Sequence, residues 1–156
     1  SPLATAAFLF VTAAMLLIAE RAGRRTRPLE TMNGLDALVM GLFQAASIFP
    51  GISRSGSTIT GGMLRNLERP AAARFSFLMS VPIMLAAGLL SILDLRAMPN
   101  LAQFAPVILA GFLTAGVVGY LSIRWLLRYL THHSLTLFSI YCIVLGAIVI
   151  GSVYVW

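Results

Sequence analysis

This sequence predicts an all-α integral membrane protein, on three observations. Of its 156 residues, 59% are hydrophobic and only 10% charged, whereas a soluble domain carries about 25% charged residues. The apolar residues fall in runs too many and too long for a signal peptide. The cations stand at the ends of those runs. About four transmembrane helices are expected, at 3–19, 75–93, 104–127 and 135–156, plus one re-entrant helix–turn–helix pair at 35–67, all in one membrane domain.

The first run, Leu3 to Ala19, has 17 residues and spans about 25 Å as a helix, just enough to cross a bilayer core. A basic loop, Glu20 to Pro28, follows. Leu35 to Phe49 is apolar over only 15 residues and is stopped by Pro50-Gly51, which suits a half-helix better than a full span. Thr58 to Leu67 predicts a second short helix returning to the basic surface at Arg65, Glu68 and Arg69. Irregular backbone at membrane depth is tolerated only where protein or a wet cavity surrounds it. Pro82 inside the next span predicts a kink. Gly111, Gly116 and Gly119 in the long span predict close helix approach, and Tyr154 and Trp156 predict interfacial anchors.

Net charge is +6, carried by eleven arginines and no lysine. Nine of them, Arg21, Arg24, Arg25, Arg27, Arg65, Arg69, Arg74, Arg124 and Arg128, fall on one side of this threading, and Arg96 falls on the other. The asymmetry reads as positive-inside anchoring with the C-terminus outside, not as nucleic-acid binding. The single cysteine, Cys142, allows no intrachain disulfide and no cysteine metal site. The chain opens Ser1-Pro2-Leu3 with no initiator Met, which suggests a fragment or processed product.

Between the two short helices stands Pro50-Gly51-Ile52-Ser53-Arg54-Ser55-Gly56-Ser57-Thr58. It places one full positive charge and four hydroxyls between apolar runs. An Arg at a helix centre costs roughly 2.5–3.5 kcal/mol on insertion scales, so Arg54 is expected to meet an anion. Backbone amides around Gly51 and Gly56 suit the same purpose. Two soluble phosphate motifs are near misses. Gly51 to Thr58 has the glycine spacing of a Walker A loop but Ser57 where Lys is required, and no strand precedes it. The acid-phosphatase lipid enzymes place a His six residues after the Arg of a Ser-Arg pair, where this chain has Thr60.

The carboxylates offer no partner for this chemistry. Glu20, Glu30 and Glu68 read as ion-pair partners of the basic surface, Asp94 as a loop residue, and Asp36 as a helix-opening residue that caps and favours the helix dipole. Hydrolysis needs a base or nucleophile, and none is expected near Arg54. His132-His133 follow a helix C-terminus, where imidazole is favoured electrostatically. Gln44, a buried amide in the first half-helix, must find hydrogen-bond partners. Ser76 and Ser80 are expected to bond backbone.

Gly41-Leu42-Phe43-Gln44-Ala45, the Pro50–Thr58 segment and Ala72-Ala73-Arg74-Phe75-Ser76-Phe77-Leu78-Met79-Ser80-Val81-Pro82 together resemble the undecaprenyl-diphosphate phosphatases of the BacA/UppP type. The resemblance runs over nearly the whole chain and covers the C-terminal half of that family. Ile52 and Cys142 depart from its common residues, Thr and Arg. The resemblance implies half of an inverted-repeat fold whose two re-entrant pairs meet near the midplane. It implies removal of the terminal phosphate from a C55 polyprenyl diphosphate, recycling the carrier for cell-wall synthesis, in the bacterial inner membrane. By motif position, Arg54, Ser53 and Thr58 would be catalytic. Ser55, Gly56, Gly51, Ser57 and Gln44 would bind substrate. A glutamate pair and a histidine would come from the missing N-terminal half, as would the carboxylate ligands of a divalent cation, Mg²⁺ or Ca²⁺. This fragment alone would be inactive. The alternative is a transporter or flippase for a phosphorylated polyprenyl lipid, with the same anion site and no hydrolysis.

Overall fold

The computed structural model describes residues 2–96 and 101–155, with side chains for 2–93 and 103–153. Six helices follow in order: α1 (Pro2–Ala22), α2 (Gly34–Ala45), α3 (Arg54–Leu64), α4 (Arg69–Arg96), α5 (Leu101–His132) and α6 (Thr136–Val155). Among the described residues there is no strand, only an isolated bridge between Arg27 and Leu67. Four helices, α1, α4, α5 and α6, are long and apolar enough to cross a membrane. By contrast α2 and α3 have 12 and 11 residues, about 18 and 16 Å long. Each reaches about half the thickness of a ~30 Å hydrocarbon core.

The short helices are sharply delimited. Asn33 caps α2: its side chain accepts from Asp36 N at 3.0 Å while the Asp36 carboxylate accepts from Asn33 N at 3.1 Å, a reciprocal capping box. A single 3₁₀ turn, Ala46–Ile48, tightens the end of α2 before Pro50-Gly51. Helix α3 ends on Asn66 with φ +64°. Asn66 N donates to Met63 O at 2.9 Å and Leu67 N to Gly62 O at 3.1 Å, a Schellman closure that satisfies the last carbonyls. Helix α4 opens at Arg69-Pro70, where proline's missing N–H is harmless. It starts before the apolar stretch does, because Ala71, Ala72 and Ala73 are strong helix formers packed into the core. Helices α4 and α5 continue through Pro82 and Pro106.

Helix α3 is the centre of the fold, buried at every residue from Gly56 to Met63. Its small residues permit this, as close approach between membrane helices requires. A Cβ on Gly62 would lie 2.8 Å from Ala72 Cβ and 3.1 Å from Met40 Sδ. One on Gly61 would lie 3.1 Å from the Phe43 ring. Helix α1 packs along α3 and α6, with Gly146 of α6 facing the Phe10 ring. Among the described residues a Cβ at Gly111, Gly116 or Gly119 would meet nothing within 4 Å, and the close helix approach within this chain runs along α3.

The loops at the basic end are tied by two carboxylates. Glu20, at the end of α1, accepts from Arg25 Nη1 at 2.5 Å, from Arg69 Nε at 2.8 Å and from Arg69 Nη2. It also accepts from Leu135 N at 3.1 Å, at the entry to α6. Asp36, fully buried, takes Arg27 in a two-pronged pair at 3.2 and 2.6 Å and Arg65 Nε at 2.8 Å. Thr26 N and Arg27 N both donate to Asn66 O at 3.0 Å, and Glu68 N donates to Arg27 O at 2.9 Å. Glu20 is an ion-pair partner as expected. Glu30 and Glu68 are exposed and form no ion pair among the described residues. Asp36 joins more charges than a cap alone requires. The side chains of Arg96, Asp94, Tyr154 and Trp156 lie outside the described residues.

Candidate functional site

The turn joining α2 to α3 is held by α1. Gly51 has φ +105°, in the left-handed region, and a Cβ there would sit 2.4 Å from Thr5 O. Only glycine meets both conditions. Thr12, buried on α1, accepts from Ser53 N at 3.1 Å. Its hydroxyl lies 3.1 Å from Phe8 O and 3.2 Å from Gly51 O and donates to one of them. Phe8 stacks on Phe49 with centroids 5.2 Å apart.

The hydroxyls of the motif build the start of α3. Ser53 is its N-cap and accepts from Gly56 N at 3.2 Å, a bond that satisfies one of the otherwise unpaired first amides. Ser57 Oγ donates back to Ser53 O at 2.9 Å. Thr58 Oγ1 lies 3.1 Å from both Arg54 O and Ser55 O, and shares a short hydrogen bond with Ser76 Oγ of α4. Ser80 donates to Phe77 O at 2.6 Å.

Arg54 and Gln44 are placed differently. Both line an open-sided cleft of about 410 Å³ with Gly41, Ala45, Ser47, Ile48 and Ile83. Arg54 Nη2 and Gln44 Oε1 are buried without a hydrogen-bond partner; among the described residues Thr60 Oγ1 is the other such side-chain atom. An unpaired buried polar atom costs about 1–3 kcal/mol, a cost that a polar ligand reaching these two residues would offset. Gln44 can present its oxygen or its NH₂ by rotating the terminal amide. Among the described residues no carboxylate lines the cleft, and the first turn of α3 adds the positive end of a helix dipole. The chemistry on offer is anion binding through a planar, always charged guanidinium fork.

The predicted site residues therefore divide. Arg54 and Gln44 share the cleft. Ser53, Ser55, Gly51 and Gly56 line a separate cavity, also about 410 Å³ and mostly apolar, which Cys142 borders. Ser57 and Thr58 are buried inside the fold. Thr12, which holds Ser53 N, and Ser76, which meets Thr58, were not singled out for this role, because pairings 41 and 18 residues apart leave no local signal. Divalent-cation ligation does not fit the cleft residues. A hard cation wants several oxygen ligands, carboxylates among them, and here it would face Arg54. Among the described residues no three His, Cys, Asp or Glu side chains group together.

Comparison with known proteins agrees with this motif and helix pattern. Residues 1–148 match the family model described as bacitracin resistance protein BacA. Relatives named undecaprenyl-diphosphatase include one from Corynebacterium striatum, 44% identical over 94% of this chain and 53% of its own length. One from Moorella thermoacetica is 45% identical over 97% of this chain and 56% of its own. One from Methanosphaera stadtmanae is 43% identical over 92% and 51%. The chain spans about half the length of the curated relatives it matches, and corresponds to their C-terminal half. With a family match over nearly its whole length and four helices able to cross a membrane, the chain belongs to the BacA family of membrane proteins.

Proposed function

We propose that the protein carrying these residues hydrolyses a polyprenyl diphosphate to the monophosphate and phosphate, and that this chain supplies the anion-binding half of the site. The observation that carries the proposal is that Arg54 and Gln44 line one open cleft and each holds a buried atom, Nη2 and Oε1, without a hydrogen-bond partner. A diphosphate would satisfy Arg54 directly, and Gln44 through its NH₂. The relatives' name, undecaprenyl-diphosphatase, supports the substrate class.

Helix α3 runs about 16 Å from Arg54 to the basic end, so as a re-entrant helix it would bring Arg54 near the bilayer midplane. The nine-to-one arginine asymmetry would turn the basic end to the cytoplasm, in a bacterial inner membrane. At the terminal phosphate Arg54 would hold the non-bridging oxygens and stabilise charge as the phosphoryl group transfers. Ser53, Ser57 and Thr58 would act as positioning residues, fixing the N-terminus of α3 from which Arg54 projects. A base or nucleophile would come from outside this chain. Glu20 and Asp36 are engaged in ion pairs at the basic end, and among the described residues no carboxylate reaches the cleft. A divalent cation would arrive with the diphosphate and take carboxylate ligands from that other half.

Phosphate release from a C55 polyprenyl diphosphate tests this, with the intact protein and residues 1–156 each in detergent. The intact protein should turn over and the isolated chain should not. Turnover by residues 1–156 above an Arg54→Ala control would overturn the division of labour. Tight diphosphate binding by the intact protein without hydrolysis would replace the enzyme reading with lipid transport.

A further inference from the structure

Independently of that cleft, the basic end holds a second charged feature. Between the first turns of α4 and the last turns of α5 lies a cleft of about 440 Å³ lined by Pro70, Arg74, Tyr120, Arg124, Arg128 and Thr131. On α5 the spacing from Tyr120 through Arg124 and Arg128 to Thr131 puts these side chains on one stripe. Arg124 and Arg128, four residues apart, are a like-charge pair that weakens a helix, and Arg74 adds a third cation from across the cleft. None of the three has a carboxylate partner among the described residues, whereas Arg25, Arg27, Arg65 and Arg69 are all paired with Glu20 or Asp36.

We propose that this cleft binds the phosphate of an anionic phospholipid headgroup. Three cations more than offset the single negative charge of a phosphodiester, and with the Tyr120 and Thr131 hydroxyls they offer donors to its acceptor oxygens. Arg124 Nη1 already lies 3.4 Å from the Tyr120 hydroxyl, so the two donors can address one group. The site stands at the polar end of two helices apolar enough to cross the bilayer, at headgroup level. Ile123 and Leu127 also line it and offer apolar surface to acyl chains. Basic pockets between transmembrane helices recognise anionic lipids on these grounds.

The test uses the intact protein in neutral detergent, titrated with phosphatidylglycerol or phosphatidylcholine and read by native mass spectrometry. Wild type should retain phosphatidylglycerol preferentially. Each of Arg74→Gln, Arg124→Gln and Arg128→Gln should weaken retention about fivefold, and the triple variant on the order of 100-fold, from about 1 kcal/mol per cation. Phosphate release in lipid-free detergent should be unchanged in the single variants, which establishes folding. A triple Arg→Lys variant should retain most of the binding, since it keeps the charge. Equal retention of the two lipids by wild type, or undiminished retention by the single and triple Gln variants, overturns the proposal. Displacement of the lipid by millimolar inorganic phosphate would assign the cleft to a free anion and overturn the lipid reading.

Discussion

Replacing Arg54 with methionine in the intact protein separates a ligand-binding arginine from a structural one, because the two roles move stability in opposite directions. A structural arginine would have its buried donors paired, and removing it would lower stability. Here Nη2 is buried and unpartnered, and Gln44 Oε1, lining the same cleft, is no closer to satisfaction. An unsatisfied buried group costs about 1–3 kcal/mol. Arg54 as a whole residue is only half-buried, so the lower end of that range applies. Arg54→Met should therefore leave unliganded stability unchanged or raise it by about 1 kcal/mol, the usual direction when a functional polar group is removed. Activity should move oppositely. A charge-assisted contact aimed at the transferring phosphoryl group is worth roughly 3–4 kcal/mol, or about 10²–10³ in kcat. Arg54→Lys should fail nearly as badly, since lysine keeps the charge and loses the fork. The assays are phosphate release from a polyprenyl diphosphate and thermal unfolding in the same detergent, each with and without inorganic diphosphate. Diphosphate should raise the melting temperature of wild type and not of Arg54→Met. A variant that melts several degrees lower while turning over near the wild-type rate would refute the reasoning and make Arg54 a structural residue.

Asp36→Asn should destabilise by about 2–3 kcal/mol, because it leaves Arg27 and Arg65, both partly exposed, without their counter-charge; denaturant unfolding of the intact protein measures this. The Arg27 pair holds the Asp36 carboxyl down from 3.8 to about 2 against the opposing effect of burial, with help from Arg65 and Asn33 N. Its contribution is therefore fully present above about pH 3.8 and lost as pH falls through about 2. Unfolding followed across that window should show a larger loss in wild type than in Asp36→Asn, which keeps the ion pairs of Glu20. Gly62→Ala should cost about 1–3 kcal/mol by overpacking, since the new methyl would sit 2.8 Å from Ala72 Cβ, which cannot rotate away; Gly116→Ala, with open space around it, should be neutral in the same unfolding assay. Thr12→Val keeps the shape of the side chain but removes the acceptor of Ser53 N, and should cost about 1–3 kcal/mol. Because it loosens the turn that aims Arg54, kcat should fall more than KM rises, and unchanged kinetics would show the tip to be held without Thr12.

What the sequence by itself determined was the membrane class, the four long apolar helices, the half-length pair between them and the Ser/Arg motif. Each is a local property. Hydropathy, helix length and a contiguous nine-residue segment need no knowledge of what lies opposite. The basic side was legible for the same reason, since arginines bracket the apolar runs. Only the tertiary structure decided what the motif residues do. Arg54 and Gln44 are ten residues apart on different helices, and folding α3 back along α2 brings them to one cleft. Ser53, Ser57 and Thr58 carry the same hydroxyls in the sequence as any ligand-binding residues would. In the fold the Ser53 hydroxyl caps the first turn of α3, Ser57 bonds back to Ser53 O, and Thr58 meets Ser76 arriving from α4. Glu20 and Asp36 are likewise indistinguishable by composition from Glu30 and Glu68, yet only the first two gather arginines. Hydrogen bonds and ion pairs act over about 3 Å of space, and across 18 to 49 residues of chain sequence order carries no trace of that distance.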